Sequence, residues 1–461
     1  MALARRKNKD SYFGRLTRLK KLFWLYFLLL IFEGALRKWV VPSLSAPLLI
    51  IRDPVSIMII WEAYRSHKWP TRWSAVLSLL TVLLGALFVA QIVAANNPFV
   101  VGLYGLRSYL LPFPVMFIMG ESLDAEDLRK LGVFALVILL PMTLVEVGQY
   151  VSGPGSFLNV GAYEEGTQIG YIGGHVRASG TFSFVAGAQE LAGLAAAFIV
   201  LGVIKPGFAK QKLLWASAFA LILSIPMMGS RTIVVQLAAM IGCMGLGATM
   251  GVSQFVKVLR IILPLAIIIF FASLLPVFSD AMQSMTERFS GATTTEGNGS
   301  VQETLYMRTL DPAVRAVERA ASTNNWLGIG MGKGAAAISA LLNGEAEAVA
   351  GENEFSRELV EMGPIAGILF GVFKVFLAIT VFGAAFSAAR DGEPLALLLI
   401  PMVVETLFFS IPEQPTLQGF MVIGVAFCIA AARVPAQAVE PTLPLAMQWQ
   451  RAAYARRVRN N

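Results

Sequence analysis

Long apolar runs recur along almost the whole chain and limit what it can fold into. A helix that crosses the hydrocarbon core of a bilayer needs roughly 20 apolar residues, and about twelve runs approach that length. In chain order they are 22–42, 47–64, 73–95, 101–119, 131–152, 183–204, 213–229, 232–251, 258–278, 363–389, 394–411 and 416–433. Of the 461 residues, 56% are hydrophobic and 14% are charged, which excludes an ordinary soluble enzyme. The sequence therefore predicts an all-α polytopic membrane protein with about 12 transmembrane helices.

The few cysteine and histidine residues limit the chemistry of any site. Cys243 and Cys428 both lie inside apolar runs, which argues against a disulfide framework or a cysteine metal site. His67 and His175 are the only histidines, so a multi-histidine metal centre is excluded. We therefore expect no metal and no cofactor, and acid/base chemistry must use carboxylates or one of these histidines. The net charge of +8 does not indicate a nucleic-acid partner, because the basic residues are distributed between the apolar runs.

The placement of the basic residues predicts the orientation of the spans. Lys and Arg accumulate in cytoplasmic loops, and most of the 37 here lie at the N-terminus, in every second connection and in the tail. Both termini are therefore predicted to be cytoplasmic. An uncleaved anchor helix is favoured over a signal peptide, because no small-x-small site precedes Arg37. The predicted segments are a basic cytoplasmic N-terminus (1–21), transmembrane helices 1–9 (22–278), a partly helical external loop (279–362), transmembrane helices 10–12 (363–433) and a basic cytoplasmic tail (434–461).

Several arginines fall on the predicted outer side, where the orientation rule gives no reason for them. Arg177 follows Gly173-Gly174-His175, and Arg231 lies in the short connection Gly229-Ser230-Arg231-Thr232. Arg308 and Arg315 lie in the large outer loop, Arg315 on a short helix predicted to begin at Asp311. Each has a purely structural interpretation. Arg177 would lie at the lipid headgroups, Arg231 would cap the hairpin between two spans, and Arg315 would lie on a solvated helical face. The functional interpretation is binding of an anion, since arginine at membrane depth is costly without one or without water.

Two further segments of the outer loop carry recognisable patterns. The glycine-rich segment 325–334 looks superficially like a phosphate-binding loop, but its spacing is wrong and no Ser or Thr follows Lys333. We interpret its glycines as a compact turn that lets a ligand approach the backbone. The segment 351–367 carries four carboxylates and an arginine, too many charges for a lipid-facing helix end. We expect these charges to face a cavity.

In this order and topology, the segments resemble the superfamily of bacterial O-antigen ligases and Wzy-type O-antigen and exopolysaccharide polymerases, over roughly residues 75–430. The resemblance is carried by Arg177 with Gly180-Thr181-Phe182, Ser230-Arg231, Arg308 followed by Leu-Gly-Ile-Gly-Met-Gly, and Asn353-Glu354-Phe355 with Glu361-x-Gly363 and Gly367. It implies a GT-C-like, metal-independent glycosyltransferase of the bacterial inner membrane. Such an enzyme takes a glycan from an undecaprenyl-diphosphate carrier and passes it to a glycan or lipid A-core acceptor on the periplasmic side.

The resemblance also implies roles for particular residues. Arginine is a permanently charged fork that binds phosphate bidentately, so we assign the diphosphate to Arg177 and Arg231, then to Arg308 and Arg315. Family members usually read His-Asn where this chain has Glu352-Asn353. Candidate catalytic residues are Glu352, the positional choice for general base, His175, the chemical choice, and Asn353; Glu354 or a reaction without a base remain alternatives. The departure at Glu352 favours a polymerase or a divergent member over a typical ligase.

Two other classes of function compete with the enzyme. A secondary transporter or flippase also has about twelve spans with both termini inside, but it should show two halves joined by a long central loop. Here the connection 205–212 between the sixth and seventh spans is short. A scaffold that recruits polysaccharide-assembly proteins through the basic tail is the third possibility. Polymerase, ligase and protein glycosyltransferase differ only in the acceptor, which the sequence does not distinguish.

Overall fold

Helices make up most of the protein in the computed structural model. The structure describes residues 16–161, 171–249 except Gly173, 262–296, 306, 311, 314, 315, 317, 318, 325–334, 354–408 and 414–433. Within these described ranges, seven helices are long and apolar enough to cross a membrane, and an eighth span results if one bent pair is counted. The prediction of an all-α polytopic membrane protein is therefore confirmed in its coarse form. About twelve spans and a GT-C-like arrangement stay predictions.

The helices follow the predicted apolar runs closely. In chain order they are α1 Arg18–Ala35, α2 Arg52–Arg65, α3 Ser74–Ala94, α4 Phe99–Leu110, α5 Pro112–Ser122, α6 Ala125–Val151, α7 Val185–Ile204, α8 Gln211–Met228, α9 Arg231–Thr249, α10 Ile262–Ser273, α11 Pro276–Glu296, α12 Glu354–Arg390, α13 Leu395–Phe408 and α14 Pro415–Arg433. A π-helical turn, Leu36–Val40, extends α1, and a four-residue helix, Ser45–Leu48, precedes α2. Two short strands, β1 Tyr171–Ile172 and β2 His175–Val176, pair antiparallel as a hairpin.

The ninth predicted span, 258–278, differs from the straight helix that its hydropathy suggests. The chain bends by 101° between α10 and α11, at a break just before Pro276. Proline has no N–H to donate to the preceding turn, and its ring disfavours helical backbone in the residue before it. Helix α11 therefore leaves the direction of α10, and it forms the first helical part of the predicted external loop.

Helices α7 and α14 lie at the centre of the bundle. Their apolar windows are 83% and 89% buried by protein, whereas that of α3 is only 28% buried. Small residues allow these close approaches, since helix association within a membrane depends on packing rather than on exclusion of water. Gly120 of α5, for example, faces Ile429 of α14 so closely that a Cβ atom there would lie 2.8 Å from the Ile429 Cβ.

The contacts between helix ends lie at two opposite ends of the bundle. At one end Lys20 Nζ contacts Asp124 Oδ2 at 2.6 Å, Lys205 pairs with Glu393, and Arg433 Nη1 donates to the Gly120 carbonyl at 3.2 Å. We name this the basic end. At the other end, Thr181 Oγ1 donates to the Ile31 carbonyl at 2.7 Å, and Gln91 Nε2 donates to the Glu361 carbonyl at 2.7 Å. We name this opposite end of the bundle the polar end.

Three cations that lie inside or beside spans have carboxylate partners. The pairs are Arg52 Nε with Glu33 Oε2 at 3.1 Å, Arg107 Nε and Nη2 with the two Asp53 oxygens at 2.5 and 2.6 Å, and Lys374 Nζ with Glu358 Oε1 at 2.6 Å. The first two pairs each join two helices, and the third joins the two parts of α12 on either side of Gly363, where the backbone is non-helical (φ +78°). An ionised group at this depth needs an opposite charge. These cations therefore stabilise the bundle, and they are separate from the arginines proposed to bind an anion.

Candidate functional site

The segment that follows Arg177 is fixed in place by a side chain of α6. Gln149 Oε1 accepts hydrogen bonds from the backbone N–H of Ser179 at 3.0 Å and of Gly180 at 2.8 Å, and Gln149 Nε2 donates to the Gly180 carbonyl at 3.0 Å. Gly180 has φ +58°, a left-handed conformation that favours glycine. One buried amide thus satisfies three backbone groups of the turn and holds the chain close to α6.

The π-helical turn that extends α1 holds the same segment through Lys38. Lys38, which is 2% exposed, donates through Nζ to the carbonyls of Gly180 at 2.7 Å and Phe182 at 2.8 Å, and to Ser179 Oγ at 3.3 Å. Three oxygen acceptors match the three N–H donors of a lysine ammonium. The backbone after Arg177 is therefore rigid, and it lies between α1 and α6.

His175 ties the β-hairpin to α6 and α11. Its ring stacks on Tyr150, with ring centroids 4.3 Å apart, and its Nδ1 lies 3.1 Å from the Tyr150 carbonyl. Its Nε2 lies 3.1 Å from Asp280 Oδ2, which also accepts a hydrogen bond from the Tyr150 hydroxyl at 3.0 Å. Both ring nitrogens therefore face protein oxygens. In this arrangement the ring joins three elements, and neither nitrogen is open to an incoming hydroxyl.

Two of the predicted anion-binding arginines are brought to one turn. The backbone N–H of Ala178 donates to the Met227 carbonyl at 3.1 Å, and Arg177 Nε donates to the Met228 carbonyl at 3.2 Å. Gly229 follows with φ +53° and ends α8, and Arg231 begins α9 three residues after Met228. Both arginines are half-buried. The segment carrying Arg177 thus docks on the connection that carries Arg231, although the two lie far apart in the sequence.

A chain of polar side chains extends from this turn into the bundle. Ser230 Oγ donates to Gln189 Oε1 at 2.5 Å, and Gln189 Nε2 donates to Glu190 Oε1 at 3.0 Å. Gln236 Nε2 of α9 donates to Glu190 Oε2 at 3.3 Å. Glu190 is fully buried. The turn with Arg231 is therefore supported by a hydrogen bond to α7, and the polar chain connects onward to α9.

The glycine-rich segment 325–334 forms the predicted compact turn, and its backbone contacts protein. Gln91 Nε2 donates to the Leu327 carbonyl at 2.7 Å, and its Oε1 accepts from the Met331 N–H at 2.8 Å. Asn97 Nδ2 donates to the Met331 carbonyl at 3.1 Å. Gly332 has φ +87° and lies directly against the backbone of Gly105 in α4. The described part of this turn packs on α3 and α4.

Glu361 is the carboxylate that closes the glycine turn onto α12. Its Oε2 accepts hydrogen bonds from the Tyr109 hydroxyl at 3.1 Å and the Gly332 N–H at 2.9 Å. Its Oε1 accepts from the Gly334 N–H at 3.1 Å and from Arg357 Nε at 3.1 Å. The charges of 351–367 were expected to face a cavity. Glu361 instead lies at 0% exposure among protein donors, because its four partners satisfy a carboxylate without water.

The remaining predicted residues lie elsewhere or outside the described residues. Arg315 is on a helical segment with its side chain 70% exposed, and its Nη2 contacts Asp311 Oδ2 at 2.8 Å. This matches a solvated helical face. Arg308, Glu352 and Asn353 lie outside the described residues. In the described ranges, no group of three or more His, Cys, Asp and Glu side chains is placed to hold a metal ion.

Sequence reasoning missed the side chains that build the site from within the spans. The principal ones are Lys38, Gln91, Gln149 and Glu190. Each interrupts or borders an apolar run, and an amide or charged side chain inside a span marks an internal contact. That signal was available for every one of them. Their partners were not readable, because the partners come from other helices.

Comparisons with known proteins give no identification. Neither the protein-family models, nor the curated proteins, nor the solved structures contain a match to this chain.

Proposed function

We propose that this protein is a membrane glycosyltransferase of the O-antigen polymerase and ligase type. It moves a glycan from an undecaprenyl-diphosphate carrier to a sugar hydroxyl on the outer face of the inner membrane, and we favour a repeat-unit polymerase in O-antigen or exopolysaccharide assembly over a ligase. The observation that carries this proposal is the docking of the Arg177 segment on the turn that carries Arg231. The motif resemblance supports the same reaction.

The two arginines suit the main electrostatic demand of this reaction. The acceptor oxygen forms a bond to the anomeric carbon, the bond from that carbon to the diphosphate oxygen breaks, and negative charge grows on the leaving group. Guanidinium groups bind phosphate oxygens bidentately and remain charged at any physiological pH. In a site shielded from water, each such donor contributes roughly 3 kcal/mol to the transition state.

Rigidity at the polar end supports this role. The backbone after Arg177 is held by Gln149 and Lys38, and the turn before Arg231 is held through Ser230. Charges fixed in advance stabilise a transition state without reorganising during the reaction. The buried amides and the lysine therefore serve as positioning residues for the arginines.

The hydroxyl proton of the acceptor goes to a general base, for which we favour Glu352. His175 is engaged through both nitrogens by the Tyr150 carbonyl and Asp280, which makes it a poor acceptor in this arrangement. Glu352 lies two residues before α12 and beside Asn353, in the segment that carries the motif. Helix α12 is in turn fixed to the glycine turn by Glu361.

The orientation of the bundle is part of the proposal. Lys20, Arg129, Lys205 and Arg433 lie at the basic end, which the positive-inside rule places in the cytoplasm. The polar end is then periplasmic. We expect an alkaline phosphatase fusion near Asn298 to be active and one at Lys210 to be inactive. The reverse pattern would invert the orientation and separate the arginines from a periplasmic donor.

A reconstituted assay tests the proposed reaction. Purified full-length protein in liposomes is given a lipid-linked oligosaccharide together with a glycan acceptor or a lipid A-core acceptor. We expect release of undecaprenyl diphosphate, with lengthened lipid-linked chains for a polymerase and glycosylated lipid A-core for a ligase. Movement of the donor between leaflets without release would indicate a flippase. A protein that neither moves nor consumes the donor would fit a scaffold.

A further inference from the structure

A cavity at the basic end, opposite the proposed site, is formed where four helix ends meet. It measures about 350 Å³ and is bounded by the starts of α6 and α13, the ends of α7 and α14, and the α7–α8 connection. Its charged lining residues are Arg129, Lys205 and Glu393. Nothing in the proposed glycosyl transfer uses this cavity, because Arg177 and Arg231 lie at the polar end.

Arg129 gives the cavity a surplus of positive charge. Its Nε donates to the Phe208 carbonyl at 2.9 Å, which fixes the side chain at the cavity wall. Among the residues that the structure describes, Arg129 forms no ion pair. Lys205, in contrast, pairs with Glu393, so these two charges balance each other. The Nη groups of Arg129 are therefore the donors best placed for an anion, and they form the fork that suits phosphate.

The remaining wall of the cavity is mainly apolar. Leu128, Leu201, Leu395 and Ala431 line it beside Arg129. A free phosphate ion gains nothing from such a wall, whereas a phospholipid places its phosphate on the cation and its glycerol and upper acyl carbons on the leucines. The pairing of one cation with an apolar wall at the charged end of a membrane bundle thus indicates a lipid.

We propose that this cavity binds the headgroup region of an anionic phospholipid, with Arg129 as the phosphate contact. The basic end lies at headgroup depth, because it holds the charged ends of the spanning helices. The site is a structural lipid position that ties together α6, α7, α13 and α14, of which α7 and α14 form the centre of the bundle. This inference is independent of the proposed glycosyl transfer.

The test measures lipid preference on the purified full-length protein in detergent. Phosphatidylglycerol and phosphatidylcholine with identical acyl chains are added separately, and retained lipid is counted by native mass spectrometry while the thermal midpoint is followed. We expect tighter retention of phosphatidylglycerol and a higher midpoint with it. Arg129→Gln should weaken that preference about tenfold, which corresponds to the loss of about 1.4 kcal/mol of binding free energy.

Lys212→Gln provides the matched control, because Lys212 is an exposed cation in the first turn of α8 and does not line the cavity. This variant should keep the preference of the unmodified protein. Equal loss in both variants would show a general surface-charge effect and overturn the site. An unchanged preference in Arg129→Gln would also overturn it. If inorganic phosphate raises the midpoint as much as the lipid does, the site takes a free anion and the lipid assignment is wrong.

Discussion

Replacing Glu361 by alanine is expected to lower the free energy of unfolding by about 3–5 kcal/mol, the range seen when one partner of a buried ionic contact is removed. The carboxylate accepts hydrogen bonds from Tyr109, Arg357 and two backbone N–H groups of the glycine turn. Alanine removes the acceptor of two buried donors, the Tyr109 hydroxyl and the Gly332 N–H, and of two half-buried donors, the Gly334 N–H and Arg357 Nε. The thermal midpoint and the denaturant midpoint of the purified protein in detergent measure the loss.

Two further variants separate the network from a general effect of removing a charge. Glu318→Ala deletes an exposed carboxylate, so it should change the stability by no more than about 0.5 kcal/mol. Glu361→Gln keeps the shape and one acceptor oxygen, so its loss should lie between those of the other two variants. A Glu361→Ala protein as stable as Glu318→Ala would show that the glycine turn does not depend on this carboxylate.

The spans themselves were readable from the sequence because hydropathy over about 20 residues is a local property. The predicted runs 73–95 and 416–433 correspond to α3, Ser74–Ala94, and α14, Pro415–Arg433. The bend between α10 and α11 escaped this reasoning, because Leu274 and Leu275 keep the run apolar across the break. Averaged hydropathy does not register that Pro276 cannot continue the helix.

The candidate site was only partly predictable, for a related reason. Arg177 and Arg231 were identifiable because each is a basic residue on the predicted outer side, where the positive-inside rule does not expect one. This is again a local signal. The docking of one on the turn of the other depends on α6 and α8 packing together, and no local pattern encodes it. Gln91 and Glu361 show the same limit, since they are hydrogen-bonded neighbours separated by 270 positions. The polar residue type of Gln91 and Glu361 indicated that each makes a buried contact. Which residue is the partner depends on tertiary packing.

Arg177→Ala and Arg231→Ala are each expected to reduce glycan transfer in liposomes by about 100- to 1000-fold, the loss typical of removing one donor that stabilises developing negative charge. The measurement is the initial rate of undecaprenyl diphosphate release at saturating donor. Arg315→Ala is the matched control, because Arg315 was assigned the same role by sequence but lies on an exposed helical face. Its rate should stay within about twofold of the unmodified protein, since surface substitutions rarely change stability by more than 0.5 kcal/mol.

The double variant decides whether the two arginines act on one group. If both contact the same diphosphate, the combined loss should be much smaller than the product of the single losses, because the second substitution removes a contact already weakened by the first. A fully multiplicative loss would place them on separate parts of the substrate. Full activity in Arg177→Ala, with an unchanged thermal midpoint, would refute the proposed diphosphate site, because the docking of its segment on the Arg231 turn is the observation on which that site rests.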